Sequence, residues 1–91
     1  MIRVKRLNHA VLFVREFDRT VHFYQRAFGF ELISETPGTA AFLRARESSN
    51  HHDLGLFATH VGTRSRLGSP GLYHLAWEVT TTEDLAAARN I

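Results

Sequence analysis

Six of the 91 residues are histidine and none is cysteine. Thiolate ligands, thiol nucleophiles and disulfides are therefore excluded, and metal chemistry here must rest on imidazole and carboxylate. His9 and His74 are the strongest candidates. Each lies third in an apolar, β-branched run, residues 7–14 and 72–79, and the two runs superimpose at a constant offset of 65 residues: Leu7 on Leu72, His9 on His74, Val14 on Val79, with Asp18 on Glu83 beyond them. A repeat that puts a histidine twice at the same strand position points to counterpart strands about a pseudo-twofold axis. A divalent ion on that axis would meet one neutral imidazole nitrogen from each strand at ~2.1 Å. The competing reading is a pair of strand histidines facing a polar cavity without metal; the repeated placement favours ligands.

His51-His52 forms a second cluster, followed by Asp53. Adjacent strand residues point to opposite faces, so only one of the two can look into a shared cavity. A histidine beside a metal but not bound to it suits general acid–base work, because its unperturbed pKa lies near neutrality. On spacing alone, a solvated pair at a loop end is the simpler reading. His22 and His60 read as surface residues. A carboxylate normally completes a two-histidine site for non-haem iron, and none is positioned to do so. Glu78 shares a face with His74, but four strand residues span ~13 Å, while Glu31, Glu35 and Glu47 have no positional argument.

These side chains need strands to carry them. Residues 7–14 alternate so that His9, Val11 and Phe13 share one face and Ala10, Leu12 and Val14 the other. Asp18 is the expected N-cap of a helix over 19–28, with Val21, Tyr24 and Phe28 as its apolar stripe and Gly29 as its left-handed stop. Strands are expected at 30–35, 39–46 and 51–59, with a turn at Thr36-Pro37-Gly38 and a polar loop at 47–50. The Phe-rich set Phe17, Phe23, Phe28 and Phe30 reads as core. After a Gly- and Ser-containing connection comes the strand at 72–79, and Thr80 with Glu83 forms a capping box that opens a helix at Thr81 or Thr82. The pattern is two βαβββ units in an α+β fold: a first module over 1–62, a connection over 63–70, and the start of a second module over 71–91.

Hydrophobic residues make up 44% of the chain and charged residues 22%, with a formal net charge of +2. That balance fits one small globular domain and excludes a disordered tail. No apolar run reaches the ~20 residues of a membrane span. The arginines are scattered rather than striped, which argues against a nucleic-acid partner. No secretory leader is recognisable at the N-terminus, so a soluble, cytoplasmic protein is expected. Phosphate-loop, dinucleotide-binding and nucleophile-elbow motifs are absent.

Leu7-Asn8-His9-Ala10-Val11-Leu12, followed by Phe23-Tyr24 and Phe28-Gly29-Phe30-Glu31-Leu32, resembles the opening module of the vicinal oxygen chelate superfamily, which includes glyoxalase I, bleomycin-resistance proteins and extradiol dioxygenases. Gly71-Leu72-Tyr73-His74-Leu75-Ala76-Trp77-Glu78-Val79 is similar to the strand that opens its second module. The resemblance runs from about Lys5 to the last residue. It implies paired modules curled into a cup around one divalent metal, with the first-strand ligand on His9 and the fifth-strand ligand on His74. Asn50-His51-His52-Asp53-Leu54-Gly55-Leu56-Phe57 looks most like the extradiol dioxygenases, which carries a non-ligand acid–base role to His52. Glyoxalase I places a metal-binding Glu on that strand, and none stands at 54–57.

The resemblance further implies a third ligand, a Glu on an eighth strand. The present chain is expected to stop before the sixth and to lack roughly 35 to 45 residues of a complete second module. That leaves a second sheet of one strand, and either a fragment of a longer polypeptide or a homodimer that exchanges modules. The implied activity is ring cleavage of a small catecholic substrate with Fe(II) and dioxygen, with Mn(II) or Zn(II) as other ions and little activity from these residues alone. Phe13, Phe57 and Trp77 are the candidate substrate-lining residues. The alternatives are another metal-dependent lyase, isomerase or transferase of the superfamily, and a metal-free protein that sequesters a small aromatic drug.

Overall fold

A computed structural model of the chain describes residues 2–59 and 70–89. His60, the expected connection apart from Pro70, and the last two residues lie outside that set. The elements run β1 (Val4–Val14), α1 (Phe17–Phe28), β2 (Glu31–Thr36), β3 (Ala40–Arg44), β4 (Leu54–Ala58), β5 (Gly71–Val79) and α2 (Thr82–Arg89). All five strands form one sheet in the order β2-β3-β4-β1-β5. β1 pairs with β4 in parallel, because α1 intervenes in the chain, and every other neighbour is antiparallel. β5 founds no second sheet. It lies along the free edge of β1 from Val4–Val79 to Phe13–Gly71, where ladder bonds satisfy backbone groups that would otherwise stay unpaired.

Phe17, Val21 and Tyr24 recur at helical spacing and turn α1 toward the sheet. The core is Phe17, Val21, Ala41, Leu43, Leu54 and Leu56, with Leu12, Val14, Tyr24, Phe30, Leu32 and Ala58 packed against it. Leu43 and Leu56 are fully buried, each contributing about 1.5–3 kcal/mol relative to an exposed side chain. Phe17 explains why the helix starts ahead of Asp18: its burial draws the first turn inward, so Glu16 becomes the N-cap position and its carbonyl accepts the Thr20 N–H at 2.9 Å and hydroxyl at 2.8 Å. Asp18 sits in the first turn, where its charge favours the helix N-terminus. At the other end Gly29 adopts φ 68°, and its N–H reaches the Tyr24 carbonyl. The expected all-phenylalanine core is only half right. Phe23 and Phe28 are more than half exposed, lying edge to face on the outer side of α1.

The end of β3, the start of β4 and the cap of α2, though not its start at Thr82, differ from expectation, each because a side chain captures backbone donors. The Asp53 carboxylate accepts the Ala45 N–H, the Ser48 hydroxyl and the Asn50 amide, all at 2.8 Å. That knot ends β3 at Arg44 and delays β4 to Leu54, leaving His51 and His52 in the loop before the strand. At α2 the cap is Thr81 rather than Thr80. Its hydroxyl accepts the Asp84 N–H at 3.1 Å and donates to Asp84 Oδ2 at 3.0 Å, so the capping pair is Thr81–Asp84. Thr80 instead bonds the Arg3 carbonyl through both its N–H and its hydroxyl.

Both helices occupy one face of the sheet. Leu12 and Val14 meet α1 there, while Val4, Trp77 and Val79 line a groove with Leu85 and Ala88 of α2. The opposite face carries His9, His52 and His74. No helix among the described residues is long and apolar enough to cross a membrane.

Candidate functional site

Strand alternation brings His9, Val11 and Phe13 of β1 to the helix-free face, and the parallel register sets Gly55 beside Val11 and Phe57 beside Phe13. A Cβ on Gly55 would sit 3.1 Å from Val11 Cγ2 and 3.2 Å from Phe42 Cε1, so glycine lets these side chains close over the strand. Two of the three register shifts between β1 and β5, those nearest the histidines, then alter what alternation alone predicts. Asn8 is the extra residue between the Leu7–Trp77 and His9–Ala76 pairs, and Tyr73 the extra one between Val11–His74 and Leu12–Leu72. Such bulges turn neighbouring side chains to the same side. Asn8 therefore joins His9, and Tyr73 joins His74.

His9 and His74 meet, with Nε2 atoms 3.3 Å apart and rings edge to face at 5.4 Å. Two nitrogens each ~2.1 Å from one ion stand roughly 3.0–3.4 Å apart when they subtend about 90–110°, so this pair fits a single divalent cation as neighbouring ligands. The histidine at position 52 is the third ring of the cluster, its centroid 4.5 Å from that of His9 and 5.0 Å from that of Phe42. Burial lowers its pKa, and the His9, His51 and His74 rings lower it further against the opposing Asp53 carboxylate, so the imidazole stays neutral at pH 7. His51 is exposed and among the described residues reaches only His52, Nδ1 to Nδ1 at 2.9 Å.

Beside the histidines lies an aromatic wall. Phe13 stacks on Tyr73 with centroids 4.9 Å apart and an interplanar angle of 22°, and Phe57 stands 6.1 Å from Phe13 and 5.9 Å from Tyr73. Trp77 is not brought to it. Paired with Leu7, it falls on the helix side of β5, in the groove beside Leu85, and is 62% exposed. Tyr73 takes the place expected for it, a consequence of the bulge that no strict two-residue period contains.

A polar network borders the site on the other side. Asn8 Nδ2 donates to Glu78 Oε1 at 3.0 Å and Asn50 Oδ1 at 3.2 Å, and Asn8 Oδ1 lies 2.7 Å from His9 Nδ1. Arg6 bonds both Glu78 and Asn50, and Lys5 pairs with Glu78. The Asn8 amide and the Arg6 guanidinium hold the Glu78 carboxyl below the usual carboxylate range. Glu78 is thus committed to the network and not to the histidine pair. For Asp53, burial opposes ionisation, but the donors from Ala45, Ser48 and Asn50 and the Arg6 charge outweigh it and lower the pKa. Sequence reasoning does not single out Asn8, Asn50 or Asp53; the one signal it offers is their polarity beside candidate histidines. Among the described residues no group of three His, Asp or Glu side chains is arranged around one ion.

Residues 6–90 match the family model for the glyoxalase/bleomycin resistance protein/dioxygenase superfamily. The chain is 32% identical over 81 residues to metapyrocatechase 2 of Cupriavidus necator, covering 89% of this chain and 23% of that protein. Among solved structures it is similar to a variant of homoprotocatechuate 2,3-dioxygenase from B. fuscum, with TM-score 0.78 and 26% identity over 98% of this chain and 22% of the other. The anaerobic complex of the Brevibacterium fuscum enzyme with 3,4-dihydroxyphenylacetate matches with TM-score 0.77 and the same identity, over 98% of this chain and 25% of the other. The chain spans about a quarter of the length of these relatives.

Proposed function

The chain belongs to the glyoxalase/bleomycin resistance protein/dioxygenase superfamily, and from that premise we propose that it forms part of an extradiol dioxygenase acting on a small catecholic substrate. The observation that carries this reading is the approach of His9 and His74 Nε2 to 3.3 Å across two paired strands. In the proposal these two imidazoles hold a divalent metal, Fe(II) first and Mn(II) or Zn(II) as other candidates, and a carboxylate from outside the described residues completes the set. When bound, ferrous iron supplies Lewis acidity and open positions where a catecholate and dioxygen can meet.

The protein's own side chains do the rest. His52, neutral and 4.5 Å from the His9 ring between centroids, takes the proton from a substrate hydroxyl and returns it later in the cycle as general acid. Phe13 and Phe57, with Tyr73, offer an apolar wall against which an aromatic ring lies flat. Trp77 has no part in it. The same proposal takes 1–62 as a first βαβββ module and 71–91 as the beginning of a second, in a cytoplasmic homodimer.

Elemental analysis of untagged protein, with its mass in solution, tests the reading. One iron, manganese or zinc per chain, lost in the His9→Ala/His74→Ala double variant, is the expected result. Protein that takes up none of the three on titration would count against the metal site and in favour of a sequestering protein.

A further inference from the structure

Asn8 accepts and donates in a pattern that admits one orientation of its amide. Its Nδ2 faces Glu78 Oε1 and Asn50 Oδ1. The Asn50 amide is itself fixed, because its Nδ2 faces the Asn8 carbonyl oxygen at 2.9 Å and Asp53 Oδ1 at 2.8 Å, both of them acceptors. Exchanging the nitrogen and oxygen of Asn8 would aim Oδ1 at an ionised carboxylate and at another amide oxygen, three acceptors with no hydrogen between them. Asn8 Oδ1 therefore points at His9 Nδ1 as an acceptor, 2.7 Å away. Only a protonated Nδ1 can answer it, which leaves the lone pair of the neutral ring on Nε2, the atom that faces His74.

We propose that Asn8 is a positioning residue that sets the tautomer and orientation of His9, so that Nε2 is presented as a ligand before any metal arrives. The β1 bulge makes this possible, because it turns two consecutive residues to one face and lets an asparagine serve the histidine that follows it. Through Asn50 and Asp53 the same network reaches the loop that carries His52, so the ligand and the acid–base residue share one support. The inference rests on the metal reading above for its purpose, but not for its geometry.

Imidazole nitrogen spectra of the metal-free full chain, recorded by long-range proton–nitrogen correlation above pH 8, read the tautomer directly. Wild-type His9 should show a pyrrole-type Nδ1 and a pyridine-type Nε2; a pyridine-type Nδ1 overturns the proposal. Asn8→Leu should mix or invert that pattern and lower zinc affinity about 10–100-fold, the usual cost of losing a partner behind a ligating histidine. Asn8→Asp combined with Glu78→Gln keeps an acceptor toward His9 and sets an amide donor opposite the new carboxylate; because that carboxylate also faces Asn50 Oδ1, the tautomer should recover and the zinc affinity only in part. An Asn8→Leu protein that keeps the wild-type tautomer and affinity refutes the assignment. Wild-type protein that shows the expected tautomer yet binds no zinc refutes the metal reading and supports the role of Asn8 in orienting His9.

Discussion

The two halves of the sheet are built to different standards. From β2 to β1 the helix side is sealed by α1, with Ala41, Leu43 and Leu56 at 0% exposure. On β5 the same side is barely covered: Leu72, Trp77 and Leu85 are 58–62% exposed, and the one buried residue of α2 is the charged Asp84. The candidate site straddles this divide, with His9 and His52 on the sealed half and His74 on the loose one. A ligand pair whose members come from regions of unequal packing depends on the β1–β5 ladder for its spacing, since α2 contributes little to hold β5 down.

The sharpest way to test that contrast is a truncation on each side. Leu56→Ala should cost about 2–5 kcal/mol in urea denaturation, because the cavity it leaves is enclosed on all sides. Gly55→Val tests the histidine face of the same half. Its branched side chain must displace Val11 and Phe42, for a loss of about 1–3 kcal/mol and a weakened metal site. Asp53→Ala comes next, since it strands the Ala45, Ser48 and Asn50 donors; about 1–3 kcal/mol of stability should go, with heightened exchange of the amides around His52.

The pH dependence separates Asp53 from its surroundings. Its folded pKa lies below the unfolded value, so its contribution is fully present above the ordinary carboxylate pKa and is lost as pH falls through the depressed one. Wild-type stability should therefore decline with acid below about pH 4, and Asp53→Asn should flatten that part of the profile. The smallest effects belong to the loose half. Thr81→Ala should cost about 1 kcal/mol or less, visible as fraying of α2 in hydrogen exchange, and Leu85→Ala about 0.5 kcal/mol or less. A Leu85→Ala penalty as large as that of Leu56→Ala would erase the distinction between the halves.

Much of this arrangement is legible in the residues. The period-two run at 7–14 puts His9, Val11 and Phe13 on one face, and Gly29 ends α1 where its φ of 68° is required. The repeat of a histidine at the third strand position brings His9 and His74 together as candidates. What escapes are features that depend on competition for hydrogen bonds. Asp53 takes the Ala45 N–H from the ladder and shifts β4 to Leu54, and Thr81 displaces Thr80 as the cap because Asp84 stands three residues beyond it. Aromatic character alone assigns Trp77 to the site, and the pairing with Leu7 turns it away.

Local pattern determined the elements, their faces and the two histidines, because those follow from backbone periodicity and from which side chains prefer to leave water. The tertiary structure decided the rest. Whether His9 and His74 meet is a matter of long-range register between β1 and β5, and the bulges at Asn8 and Tyr73 that set this register arise from pairing strands more than fifty residues apart, which no short window of sequence contains.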